Sequence, residues 1–239
     1  MYLCACACVA ITTNFNFEQL TGGLYTKVFA LGEPDNLTST KAPTCLLLDT
    51  HHKFVAFGER ARNQATQDST KDLDKFNLEF MYFEGFKMEL KDMKPHEVPT
   101  VQPTMGLPKD VRLSTLLQVI FEQTALEVYR HVKAHSRKPI STVTWVVTHP
   151  VDWPTAARKL MEIAAEKGGL LTPTKDMVIV AKEAGLGVPV INPILLLSEP
   201  EAAMLHATQN DPVEIGDIIM VVDNGAGTTD ISTHEIGTC

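Results

Sequence analysis

Short apolar runs bounded by polar turns alternate along this 239-residue chain with longer stretches of helical period. Cys45, Leu46, Leu47 and Leu48 form a buried-strand pattern that Asp49 ends. Residues 50–53 are polar, and Phe54, Val55, Ala56 and Phe57 read as the return strand of a hairpin. His51 and His52 at its tip lack a third His or nearby carboxylates and read as a solvated turn rather than a metal site. Ala61 and Ala65 predict a short helix over 58–67, and Phe80, Tyr82, Phe83 and Phe86 a packed aromatic cluster. Pro95, Pro99, Pro103 and Pro108 make 95–108 a loop.

Leu113, Leu116, Leu117, Ile120, Phe121, Ala125, Val128 and Val132 recur at helical spacing, which predicts an amphipathic helix over 113–133. Residues 143–148 are β-branched and nearly all apolar, as expected of a central strand covered on both faces. The next helix is expected to start at Asp152 or Trp153, with Pro154 in its first turn, and to end at Gly168 and Gly169. Its buried face would comprise Ala157, Leu160, Met161 and Ala164. Residues 177–181 and 194–197 are further strand candidates, and 201–207 reads as a short helix. A buried strand over 218–222 runs into a turn at 223–230, after which alternation resumes antiparallel. Strands alternating with helices imply an α/β fold.

Composition narrows the partners. The net charge is −8 and the chain has no basic patch, which argues against nucleic-acid binding through phosphate neutralisation. It also argues against docking on an anionic membrane, and no apolar run reaches the ~20 residues of a spanning helix. Residues 1–11 are apolar but lack a preceding basic segment, so a signal peptide is poorly supported. Cys4, Cys6 and Cys8 alternate without a downstream cluster, and Cys45 and Cys239 are isolated, so no disulfide framework is visible. A reducing, cytoplasmic setting is the expectation.

The turn at 223–230 carries the chemistry. The strand before it delivers Asp223 to its C-terminal end. Gly225 and Gly227 free the backbone, so that successive N–H groups can form an anion-binding nest, and Thr228 adds a hydroxyl donor. A carboxylate beside such a nest suits a bridging Mg²⁺. No Gly-Lys-Ser/Thr follows, so this is not a Walker loop. An ordinary tight hairpin is the competing local reading, since Asn224-Gly225 is also a common turn pair.

Val221-Val222-Asp223-Asn224-Gly225-Ala226-Gly227-Thr228-Thr229-Asp230 resembles the second phosphate motif of the 70-kDa heat-shock proteins. Trp145-Val146-Val147-Thr148-His149-Pro150 resembles the strand and proline that open their switch region, with Arg158 eight residues beyond Pro150. Ser198-Glu199-Pro200-Glu201-Ala202-Ala203 resembles their glutamate-proline motif. That last form and Phe86-Lys87-Met88-Glu89-Leu90 resemble the divergent heat shock 70 kDa protein 12 branch.

The resemblance implies an actin-like (ribonuclease H-like) ATPase lobe that is incomplete. Residues 1–42 would be irregular, 43–215 the first lobe, and 216–239 the start of a second. It implies ATP and Mg²⁺ as cofactors, the nucleotide as ligand, and protein partners or clients that the sequence does not name. Gly225, Ala226, Gly227 and Thr228 would hold the β- and γ-phosphates, Asp223 the Mg²⁺ water shell, and Asp230 a monovalent cation. Glu199 would order water near the γ-phosphate, Pro150 and Arg158 would relay nucleotide state, and Lys87 would position the attacking water. Aligning on Phe83-Glu84 instead puts Phe86 at the lysine position, and a solvated Lys87 and a helix-surface Arg158 are the competing readings.

Three departures accompany the resemblance. Val9-Ala10-Ile11 resembles the strand before the family's first phosphate loop, but Thr12-Thr13-Asn14-Phe15-Asn16 follows instead of an Asp-Phe-Gly-Thr-Thr type turn. The chain ends at Cys239, just beyond the second phosphate motif. Residues 182–193 read as an insertion. The expectation is therefore a lobe impaired in nucleotide binding and hydrolysis. A non-enzymatic interaction module and another actin-like protein, such as a sugar kinase, are the alternatives.

Overall fold

The computed structural model describes residues 2–3, 8–12, 42–135, 142–183, 190–191, 193–208, 213–224 and 229–237. Strand β1 is Cys8–Thr12. The predicted hairpin follows as β2 (Cys45–Asp49) and β3 (Phe54–Phe57), paired antiparallel. Asp49 Oδ1 accepts from the backbone N–H groups of His51 and Lys53 at 2.8 and 2.9 Å, which closes the turn. Helix α1 (Gly58–Lys71) runs beyond the predicted 58–67, and α2 is Leu73–Glu79. Strand β4 (Phe80–Glu84) pairs antiparallel with β2, and a 3₁₀ turn at Phe86–Leu90 follows it.

Side-chain alternation in β2 and β4 builds two cores. Leu46, Leu48, Met81 and Phe83 join the larger apolar cluster, whereas Cys45, Leu47 and Tyr82 join a second one with Ala61, Ala65 and Phe76 of α1 and α2. Successive side chains of a strand point to opposite faces, so an uninterrupted apolar run requires both faces covered. Arg62 of α1 reaches Glu84 of β4 at 2.8 Å, and the Tyr82 hydroxyl lies 3.0 Å from Glu84 Oε2 and 3.1 Å from Cys45 Sγ. Burial holds the Cys45 thiol above its ordinary pKa.

Helix α3 (Leu113–His135) matches the predicted stripe, with Leu113, Leu116, Ile120 and Ala125 buried. Strand β5 (Thr142–His149) is central, as expected: β1 lies antiparallel along one part of it, while β6 (Val190–Ile191) and β7 (Leu195–Ser198) pair with it in parallel. Helix α4 (Thr155–Ala165) begins later than expected, with Pro154 at its N-cap rather than in its first turn. The chain continues through one wide helical turn, Glu166–Leu170, before Gly169 turns it at φ 91°. Gly168 is needed for a different reason. A Cβ there would lie 2.8 Å from the Gln118 carbonyl oxygen of α3, so only glycine permits this approach.

Two strand expectations need correction. Residues 177–181 lie in a helix, α5 (Lys175–Glu183). Met177 and Ala181 are buried and Ile179 is 53% exposed, a helical rather than alternating period. Residues 218–222 do form a strand, β8 (Ile218–Asn224), paired antiparallel with β9 (Thr229–Glu235) after helix α6 (Glu199–Ala207). They are not buried, however: Ile218, Met220 and Val222 are 73%, 65% and 56% exposed. One face of this two-stranded ribbon is largely exposed, and α6 lies against β8.

Burial predicts opposite costs for two truncations. Leu47→Ala should destabilise by about 2–5 kcal/mol, and Met220→Ala by no more than about 0.5 kcal/mol, in urea unfolding of the full chain.

Candidate functional site

Strand β4 places Lys87. At its end Gly85 takes a left-handed conformation (φ 70°) and its N–H bonds to the Thr44 carbonyl at 3.0 Å. This reversal starts the 3₁₀ turn, which Phe86 and Leu90 anchor in the core at 2% and 1% exposure. Lys87 lies between these anchors and points elsewhere. Its Nζ donates to Glu199 Oε1 at 3.0 Å, and the two side chains are only 14% and 19% exposed. Phe86, the competing residue for the lysine position, is in the core.

Strand β7 and helix α6 place Glu199. Ser198 ends β7 directly opposite His149 of β5, and Glu199 opens α6. A capping box fixes this junction. Glu201 Oε2 accepts from the Ser198 hydroxyl at 2.6 Å and from the Ser198 N–H at 3.0 Å, while the Glu201 N–H bonds back to Ser198 Oγ at 3.3 Å. These bonds, led by the Ser198 hydroxyl, hold the Glu201 carboxyl below its ordinary pKa. Glu199 is left free of capping duty and aims at Lys87.

The turn after β5 supplies the third side. His149 is 6% exposed, and its Nδ1 lies 2.8 Å from the Pro150 carbonyl oxygen. A carbonyl can only accept, so Nδ1 carries a proton. Trp153 follows, 6% exposed, with its ring centroid 5.3 Å from Lys87 Nζ. Asp152 reaches Lys91 at 3.5 Å.

The structure thus brings Lys87 and Glu199 into contact and sets Trp153, three residues past Pro150, beside them. Arg158 is not among them; its Nη2 bonds to Thr155 Oγ1 at 3.1 Å on the exposed side of α4. Asp223 and Asp230 are register partners across the β8–β9 ribbon, as are Asn224 and Thr229. Gly225, Ala226, Gly227 and Thr228 lie outside the described residues. Strand β1 forms at Val9-Ala10-Ile11, but Thr12 lies opposite Thr142, so the strand ends at the edge of the sheet remote from His149. Among the described residues no group of three or more His, Cys, Asp or Glu could hold a metal ion. No helix among them is long and apolar enough to cross a membrane.

Sequence reading missed two components. Ser198-x-x-Glu201 at the head of a helix is a legible capping signal. Trp153 gave no signal, because its contact with Lys87 exists only after the two segments pack.

Two predictions follow from this geometry. At 3.0 Å the Lys87–Glu199 attraction is about 5 kcal/mol at an effective dielectric near 20, and desolvation offsets most of it. A double-mutant cycle with Lys87→Met and Glu199→Gln should give a coupling of about 1–3 kcal/mol by urea unfolding. The capping contribution is expected to depend on pH. A carboxyl held below its ordinary value near 4.5 stabilises the fold above that value, and the effect fades as pH falls through it toward the folded value. Ser198→Ala should cost about 0.5–2 kcal/mol at pH 7 and measurably less at pH 3.5.

No family model matches the chain. It is 28% identical to human heat shock 70 kDa protein 12A over 248 aligned residues, covering 86% of this chain and 35% of that protein. The mouse 12A protein is 27% identical over the same extent, and human heat shock 70 kDa protein 12B is 29% identical over 192 residues, covering 73% of this chain and 23% of that protein. The chain thus spans about a third of the length of the 12A proteins it matches. Taken with the ordered motifs at Lys87, Pro150, Glu199 and Asp223, this similarity supports the resemblance to the divergent heat shock 70 kDa protein 12-like branch of the 70-kDa heat-shock proteins.

Proposed function

We propose that this chain forms an actin-like, nucleotide-handling lobe of a heat-shock-70-like protein, with impaired ATP binding and hydrolysis. The observation that carries the reading is the Lys87–Glu199 pair. Two residues implied by separate motifs, 112 positions apart, meet at 3.0 Å in a largely desolvated place. In this reading Gly225, Ala226, Gly227 and Thr228 hold the β- and γ-phosphates. Asp223 would contact the Mg²⁺ water shell, and Asp230 would hold a monovalent cation. Bound Mg²⁺ would neutralise the phosphate charge, and Lys87 would orient a water with Glu199.

Two features support impairment. No Asp-Phe-Gly-Thr-Thr type turn follows β1, and β1 ends away from the Glu199 end of the sheet. Phosphoryl transfer depends almost wholly on positioning and electrostatics, so losing one of two phosphate clamps removes most of the activity. The second reading is a non-enzymatic interaction module. The unpacked apolar face of β8 and β9, with Ile218, Met220, Val222 and Ile231 exposed, favours it.

Titration calorimetry with MgATP is expected to show binding weaker than about 1 μM and no turnover, and a tighter constant would overturn the impairment. Thermal unfolding separates the two readings. MgATP at ten times its Kd should stabilise the chain by about 1.4 kcal/mol, and Thr228→Ala should reduce that gain. No stabilisation at any soluble MgATP concentration would favour the interaction module.

A further inference from the structure

Lys87 is held from two sides, and only one holder is a charge. Glu199 takes one hydrogen bond at 3.0 Å, and the Trp153 ring centroid stands 5.3 Å from the same nitrogen. A lysine ammonium sits on a flexible four-carbon stem and carries three donors, so one ion pair leaves its direction loosely set. The face of an indole attracts a cation through its quadrupole, and Trp is the strongest of the aromatic residues in this role. A second carboxylate would fix the ammonium equally well but would add negative charge where a phosphate must approach. An aromatic face adds none.

We propose that Trp153 is a positioning residue for Lys87. Its ring and the Glu199 carboxylate together set where the ammonium points, and they tie that direction to the turn that begins at Pro150. This role rests on the nucleotide reading of Lys87 and Glu199. The tie has a second strand, because Lys91 of the same 3₁₀ region reaches Asp152 beside Trp153 at 3.5 Å. That pair is 42% and 52% exposed and contributes little by itself. Trp153 is 6% exposed and keeps its ring fixed against Lys87. Arg158, implied as a relay by the motif, bonds only within its own helix turn to Thr155 among the described contacts. Trp153 thus supplies a direct contact between the Pro150 segment and Lys87.

Lysine-specific ¹³C labelling of the full chain tests this without catalysis. One lysine εCH₂ signal should be displaced upfield by the Trp153 ring current and should vanish in Lys87→Met. Trp153→Phe should keep a smaller displacement, and Trp153→Leu, of similar apolar character, should lose it. Under limiting amine-acetylating reagent, Lys87 should react roughly fivefold faster in Trp153→Leu than in Trp153→Phe, the ratio expected for one cation–π contact. A merely structural Trp153 would affect both variants alike. No displaced signal in the unsubstituted chain, or one that persists in Trp153→Leu, would overturn the positioning role alone. A displaced Lys87 signal that ignores millimolar MgATP would overturn the nucleotide reading, and the positioning role with it.

Discussion

Leu46, Leu47 and Leu48 are each fully buried, yet they cannot all face the same way. Strand geometry sends Leu46 and Leu48 to one side and Leu47 to the other, so β2 is stable only between two apolar layers. Most of the architecture follows from that requirement. Helices α1 and α2 close one side with Ala61, Ala65 and Phe76. Helix α3 closes the other through a cluster that continues to Trp145 and Val147 of β5. The end of β4 is thereby fixed in depth, and with it the 3₁₀ turn that presents Lys87. A site residue far from β2 in sequence inherits its position from the two-sided burial of β2.

Lys87–Glu199 illustrates how such a scaffold uses a polar pair. The pair is largely desolvated, so its net effect on stability is small compared with its attraction, and breaking it from one side is costly. Capping is assigned to Glu201 and pairing to Glu199. Three consecutive residues therefore separate two electrostatic tasks, with Pro200 between the carboxylates preventing an N–H from competing for either.

Legibility in the sequence followed the strength of each local pattern. The β2–β3 hairpin and β5 were readable from short apolar runs bounded by polar or proline turns, and α3 from its helical period. Residues 177–181 misled because Met-Val-Ile-Val-Ala is β-branched, whereas its burial at 177 and 181 depends on α3 lying alongside. Residues 218–222 misled in another way. Their run is apolar enough for a core, but burial is a property of the covering layer and cannot be read from the strand. Lys87, Pro150 and Glu199 were legible as separate candidates through their motifs. Their distances, and the part of Trp153, were not, because a contact between distant segments leaves no trace in either one.

The β8–β9 ribbon differs from the rest of the molecule in how it opens. Its ladder of backbone hydrogen bonds is backed on one side by α6, while Ile218, Met220, Val222 and Ile231 face water on the other. Local opening there exposes little apolar surface that is not already wet, so amide hydrogens exchange with solvent through small fluctuations. Amides of β2 and α3 exchange only when the two cores come apart. Asp223 and Asp230 thus belong to a ribbon whose opening costs less than that of the layers that hold Lys87.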